Sequence, residues 1–141
     1  MIAVIGAGAM GEALMAGWIA AGTSPDEIVA VDQDTDRLAR LRMPGGGVSV
    51  GGSGVSVAEV VVVAVKPHHV ATALTDIAPH LGPEAVVVSV AAGVTLARLT
   101  EVLPEGQPVI RVMPNTPALV GRGVAGLAAG HTATTAQYAR A

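Results

Sequence analysis

The sequence has no cysteine and no phenylalanine, and its aromatic side chains are Trp18 and Tyr138. Without cysteine there is no disulfide, no thiol nucleophile and no thiolate metal site, which suits a reducing compartment and makes the cytoplasm the expected location. Charged residues are only 13 % of the chain and the net charge is −3. That balance gives no electrostatic case for nucleic acid or an anionic membrane as partner. The longest apolar run, Val60 to Val65, stops at Lys66, far short of the roughly 20 residues a membrane helix needs. Near the start, glycines interrupt any stretch that could serve as a secretion signal.

What remains is rich in small aliphatic residues: 51 % of the chain is hydrophobic, and valine, alanine, leucine and isoleucine must make the core. That is the composition of a buried parallel sheet flanked by small-residue helices. The 141 residues suit one domain. Apolar runs at Ile2 to Ile5, Ile28 to Val31, Val48 to Val50, Val60 to Val65, Ala85 to Val90 and Val109 to Met113 read as strands, with Val124 to Ala128 as an edge strand. Helical spacing falls between them. Met10, Leu14 and Trp18 form one stripe, Asp34 to Leu41 a short helix, Val70, Leu74, Ile77 and Leu81 a second stripe opened by Pro67, and Leu96, Leu99 and Leu103 a third capped by Thr95. Strands alternating with helices predict a doubly wound, mostly parallel α/β sheet of Rossmann-like architecture. Residues 1–129 are expected to form that domain, and 130–141 to begin a truncated helix or linker.

Gly6-Ala7-Gly8-Ala9-Met10-Gly11 lies between the first strand and the first helix. In that setting G-x-G-x-x-G provides a tight turn, close backbone approach to a pyrophosphate and close helix–strand packing, so a dinucleotide site is expected. A simple sharp turn is the alternative. Ligands of open α/β sheets lie beyond the carboxyl ends of the strands, which singles out four further junctions. Asp32 can accept hydrogen bonds from both adenosine ribose hydroxyls, favouring NAD, or can merely cap Asp32-Gln33-Asp34; Arg37 and Arg40 are near enough in sequence to compensate for a 2′-phosphate. Ala64, Val65, Lys66 and Pro67 bring backbone, and in Lys66 either a site cation or an ordinary solvated strand end. Val90, Ala91, Ala92 and Gly93 leave room for a nicotinamide ring, or simply pack tightly. Asn115, between two prolines, offers an amide that both donates and accepts, or makes a turn. His68, His69, His80 and His131 lack metal-ligand spacing, so no metal is expected. The catalytic residues are not evident from these patterns.

Four segments together carry a family resemblance: Ile5 to Leu14, Ala64 to Pro67, Ser89 to Thr95, and Arg111 to Gly121, the last being the most specific. With them, the chain resembles the N-terminal domain of pyrroline-5-carboxylate reductase over most of Met1 to Ala129. The resemblance implies reduction of the cyclic imine 1-pyrroline-5-carboxylate to L-proline, the last step of proline synthesis, with hydride from NADPH or NADH. It also implies that Gly6 to Gly11 hold the pyrophosphate, that Ala64 to Pro67 and Val90 to Ala92 line the cofactor, and that Asn115 and Thr116 lie near its nicotinamide end, with Lys66 a further site-lining candidate. Family members continue into a helical C-terminal domain that dimerises and supplies most of the imino-acid pocket. The chain is expected to end before that domain, so a homo-oligomer is expected of the full-length enzyme and the chain alone is expected to be inactive. Gly51 stands where some relatives have a cofactor-contacting asparagine, and Asp32 replaces a small or neutral residue, which shifts the expected cofactor toward NADH. The remaining alternatives are a non-catalytic dinucleotide-binding module and a related imine or β-hydroxy-acid dehydrogenase domain.

Overall fold

The computed structural model describes residues 1–41, 49–50, 52–114 and 124–141. Its strands are β1 (Ile2–Ile5), β2 (Ile28–Val31), β3 (Ser49–Val50), β4 (Val60–Val63), β5 (Val86–Ser89), β6 (Val109–Pro114) and β7 (Ala125–Ala129). They form one seven-stranded sheet in the order β3-β2-β1-β4-β5-β6-β7. All neighbours pair in parallel except β6 and β7, where Ile110 faces Ala129 and Pro114 faces Ala125 in an antiparallel edge. The Rossmann-like, mostly parallel sheet expected from the sequence is therefore present. The winding direction reverses between β1 and β4, so the loops leaving those two strands diverge and open a crevice.

Both faces of the sheet are buried, which is why β4 is an unbroken valine run rather than an alternating one. Val61, Val63, Val87 and Val109 point to one side, against Val70, Leu74, Ile77 and Leu99. Val60, Val62, Val86, Val88 and Ile110 point to the other, against Leu14 and Trp18. Each fully buried valine contributes about 1.5–3 kcal/mol of transfer free energy, so β4 and β5 anchor the domain.

The helices are α1 (Ala9–Ala20), α2 (Thr35–Arg40), α3 (Val70–Ile77), α4 (Leu96–Thr100) and α5 (Thr135–Arg140). Helix α1 ends where Gly22 adopts a φ of +107°, with Gly22 N–H donating to Ile19 O at 3.0 Å and Thr23 N–H to Trp18 O at 2.9 Å. These paired bonds are the glycine-terminated close of a helix. Asp34 and Thr95 cap α2 and α4 by accepting the N–H groups of Arg37 and Arg98.

Several elements are shorter than their apolar patterns predict. Helix α3 is preceded by a 3₁₀ turn at Pro67–His69 and followed by another at Ala78–His80, because Pro79 lacks an N–H and its ring excludes a continuing helix. Helix α4 stops at Thr100, whose hydroxyl donates to the Leu96 and Ala97 carbonyls, and Leu103 is disfavoured in a helix by the following Pro104. In α1 the deepest side chain is Met15, with Leu14 and Trp18 only half-buried and Met10 turned to the crevice. Gly52–Val57 form a 3₁₀ segment. Val48 lies outside the described residues, and Val124 precedes β7 rather than starting it.

Candidate functional site: a cleft at the carboxyl ends of the strands

The three glycines of the first turn have three different surroundings. Gly6 adopts a φ of +100°, and a Cβ there would come within 2.9 Å of Val65 N and 3.0 Å of Ala64 C, so the turn must be made by a residue without a side chain. Gly11 stands against the start of the same turn, where a Cβ would overlap Gly6 O. It lets α1 sit directly on β1. Gly8 is the helix N-cap with φ −76° and ψ −174°, a conformation open to any residue, and a Cβ on it would meet nothing nearer than Arg37 Nη1 at 3.8 Å. Gly6 and Gly11 are thus required by the fold, whereas the bareness of Gly8 keeps empty the space over the free N–H groups of α1. Those groups and the helix dipole make an anion cradle.

That space belongs to a cleft of about 780 Å³. The first turn contributes Gly6, Gly8, Ala9 and Met10 to its walls; the end of β2 contributes Asp32, Gln33 and Asp34, and α2 contributes Arg37; the end of β4 contributes Ala64 to Pro67; and the end of β5 contributes Val90, Ala91 and Ala92. Residues as far apart in sequence as Ile5 and Ala92 meet here because parallel strands all end on the same side of the sheet. Ala7 and Gly11 do not line the cleft: Ala7 is 1 % exposed, and its N–H donates to Asp32 Oδ2 at 2.8 Å.

Asp32 is the most heavily bonded polar side chain at the site. Besides Ala7 N–H it accepts Asp34 N–H on Oδ1 at 2.9 Å and Arg37 Nη1 on Oδ2 at 3.3 Å. A carboxylate offers about four lone-pair positions, and three are used. Asp32 thus caps the turn after β2 and also lines the cleft, with acceptor capacity for about one more donor. Arg37 also approaches Asp34 Oδ2 at 3.6 Å. Lys66 is exposed at the mouth, where the X-Pro peptide holds it extended at φ −61°, ψ 147°.

The far wall was missed by sequence reasoning. His69, Thr72, Ala73, Asp76 and Ile77 line the cleft from α3 and the turn before it. Their spacing of three and four marks one helical face beside the buried Val70–Leu74–Ile77 stripe, a signal present in the sequence. His68 and His69 stack on each other with ring centroids 4.2 Å apart. Among the described residues no group of three or more His, Cys, Asp or Glu side chains is arranged to hold a metal. No helix there is long and apolar enough to cross a membrane. Asn115, Thr116 and Gly51 lie outside the described residues.

A doubly wound sheet, a glycine turn opening its first helix and a cleft at the switch point define a Rossmann-type domain. Residues 1–93 match the NADP oxidoreductase, coenzyme F420-dependent, family, and the chain belongs to it. Among curated proteins it is 42 % identical over 144 residues to the pyrroline-5-carboxylate reductase of Mycobacterium leprae, covering 97 % of this chain and 49 % of that protein. It is 38 % identical over 142 residues to that of Pseudomonas aeruginosa, covering 99 % and 52 %. The chain thus spans about half the length of the curated relatives it matches. A solved pyrroline-5-carboxylate reductase from Coxiella burnetii superposes with a TM-score of 0.90 at 32 % identity, over 99 % of this chain and 53 % of that one. The Plasmodium falciparum pyrroline carboxylate reductase with NADP bound shares the fold, with a TM-score of 0.82 at 22 % identity over 99 % and 51 %. The family resemblance read from the four sequence segments is borne out.

Proposed function

We propose that this chain is the cofactor-binding half of a pyrroline-5-carboxylate reductase, acting in proline biosynthesis with NADPH or NADH. The observation that carries the reading is the empty space over Gly8: a residue with no steric need to be glycine leaves open the helix N-terminus at the switch-point cleft. The names of the relatives support the substrate assignment.

When bound, the reduced nicotinamide supplies the hydride for the imine carbon of 1-pyrroline-5-carboxylate. The residues of this chain bind and orient. Gly8, Ala9 and Met10 hold the diphosphate against the N–H groups of α1, and Asp32 takes one ribose hydroxyl. Val90, Ala91 and Ala92, with little side-chain bulk, let the ring lie close to the main chain. Lys66 adds a positive charge at the mouth that attracts the diphosphate or the imino-acid carboxylate. Asn115 and Thr116 are assigned to the nicotinamide end by the family resemblance. Rate acceleration then comes chiefly from holding donor and acceptor together. The domain is taken as residues 1–129, with 130–141 leading on, and the compartment as the cytoplasm. An apolar groove of about 340 Å³ that includes Leu14, Trp18, Val112 and Leu127 suits self-association of the enzyme.

Calorimetric titration with NADH and NADPH tests the cradle, and saturable binding is expected. If neither cofactor binds at millimolar concentration, the reading falls. Oxidation of the bound cofactor that depends on 1-pyrroline-5-carboxylate and yields proline, rather than on a β-hydroxy-acid pair, tests the substrate; the full-length enzyme is the material for that assay.

A further inference from the structure

We propose that Ser89 is a positioning residue for the nicotinamide end of the cleft, its buried hydroxyl setting the turn that carries Ala91 and Ala92. The inference rests on the cofactor reading above and concerns how one wall of that site is held.

Strand register places Val31, Ile5, Val63, Ser89 and Arg111 side by side in one row across β2, β1, β4, β5 and β6. Members of a row share one face of the sheet, here the face on which Ile5 and Val63 join the core against α3. The row is aliphatic beneath the adenosine end of the cleft and turns polar at β5. Ser89 is 0 % exposed, and a hydroxyl buried among valines is costly unless it is hydrogen-bonded. Its partner is the turn that follows it. Val90 N–H still continues the sheet by donating to Val63 O at 3.1 Å, whereas Ala91 N–H leaves the ladder and donates to Ser89 Oγ at 3.4 Å. Ala91 is itself buried at 4 % exposure, so the N–H depends on an acceptor within the protein. Arg111 does not compete for the hydroxyl, because its Nε is buried with no partner among the described residues. Drawing the Ala91 N–H back onto the end of β5 sets Ala91 and Ala92 along the cleft wall, before Gly93 turns the chain at a φ of +75°. An aliphatic residue in place of Ser89, like Val63 in the neighbouring strand, would suit the core and leave that N–H unpaired.

The test is calorimetric titration of wild type, Ser89→Ala and Ser89→Cys with NADH and with ADP-ribose, which has the adenosine, the diphosphate and the second ribose but no nicotinamide. Ser89→Ala removes the acceptor without adding bulk. It is expected to weaken NADH about fivefold to tenfold, the size of one lost hydrogen bond, while ADP-ribose stays within about twofold of wild type. Ser89→Cys preserves the buried volume and offers only a weak acceptor, so it is expected to show the same selective loss to a smaller degree. A merely structural role weakens both ligands by one factor, and that result in either variant overturns the inference, as does unchanged NADH affinity in Ser89→Ala. Wild type that binds NADH no more tightly than ADP-ribose also overturns it, while leaving the diphosphate cradle intact. Binding of neither ligand by wild type overturns the inference and the cofactor reading together.

Discussion

Asp32 Oδ2 accepts the N–H of Ala7 at 2.8 Å, joining the glycine turn after β1 to the end of β2 across 25 residues of sequence. The same oxygen meets Arg37, so one carboxylate ties the loops after β1 and β2 together along one wall of the cleft. Asp32→Ala leaves the buried Ala7 N–H without a partner, an omission worth about 1–3 kcal/mol. The Arg37 contact adds little, because that side chain is 48 % exposed and solvent screens it. Urea unfolding is expected to show this loss for Asp32→Ala and a smaller one for Asp32→Asn. An unchanged midpoint in the alanine variant would mean that the Ala7 bond does not form.

Two glycines of α1 are expected to respond to alanine with opposite signs. Gly11 has Gly6 O in the place of a Cβ and Val4 Cγ1 at 3.3 Å, and backbone cannot yield as a side-chain tip can. Gly11→Ala therefore loses about 1–3 kcal/mol through overpacking, more than the roughly 1 kcal/mol gained in helix propensity. Gly17 has nothing within 4 Å. Gly17→Ala is expected to stabilise by about 0.5–1 kcal/mol. Denaturation of the two variants side by side checks both signs.

The contrast also explains what the sequence reveals and what it withholds. The glycine spacing announces a strand–turn–helix unit, because all three functions of the motif converge on that local geometry. The alternation of valine runs with helical stripes announces the doubly wound sheet, because parallel strands must be buried on both faces. The strand-end junctions at Asp32, Ala64 to Pro67 and Val90 to Ala92 then follow from topology, which brings every carboxyl end to one edge. Element lengths follow less well: Pro79 and Pro104 cut α3 and α4 shorter than their leucine spacing implies. The α3 wall was missed because Thr72 and Asp76 resemble an ordinary solvated face until the crevice is seen to run alongside it. The bonding of Asp32 to Ala7 depends on the register of two strands, which no local pattern encodes.

Gln107 carries a second long-range tie that is independent of the cleft. It is 6 % exposed, and its Nε2 donates to Ala85 O at 2.6 Å and Gly82 O at 3.3 Å, holding the approach to β6 against the approach to β5. Gln107→Leu fills similar volume but removes the donor from two carbonyls. A loss of about 1–3 kcal/mol is expected, with cofactor affinity unaffected because none of these residues lines the cleft. A Gln107→Leu variant with wild-type stability would show that water satisfies those carbonyls.

Gly8→Val separates binding from folding. The backbone at Gly8 is extended, at φ −76° and ψ −174°, so valine enters without strain, and its nearest neighbour is the far end of the flexible Arg37 side chain. Stability is therefore expected to stay within about 1 kcal/mol of wild type, as for a surface change that meets no packed neighbour. The added methyl groups stand over the N–H groups of α1 and hold a diphosphate away from them. Losing one or two hydrogen bonds to a charged group lowers affinity by about tenfold to several-hundredfold. The pair of outcomes is what distinguishes an anion cradle from a turn that is glycine-rich for folding alone: in the latter case Gly8→Val would lower stability and leave NADH affinity unchanged, and the diphosphate would have to lie elsewhere in the cleft.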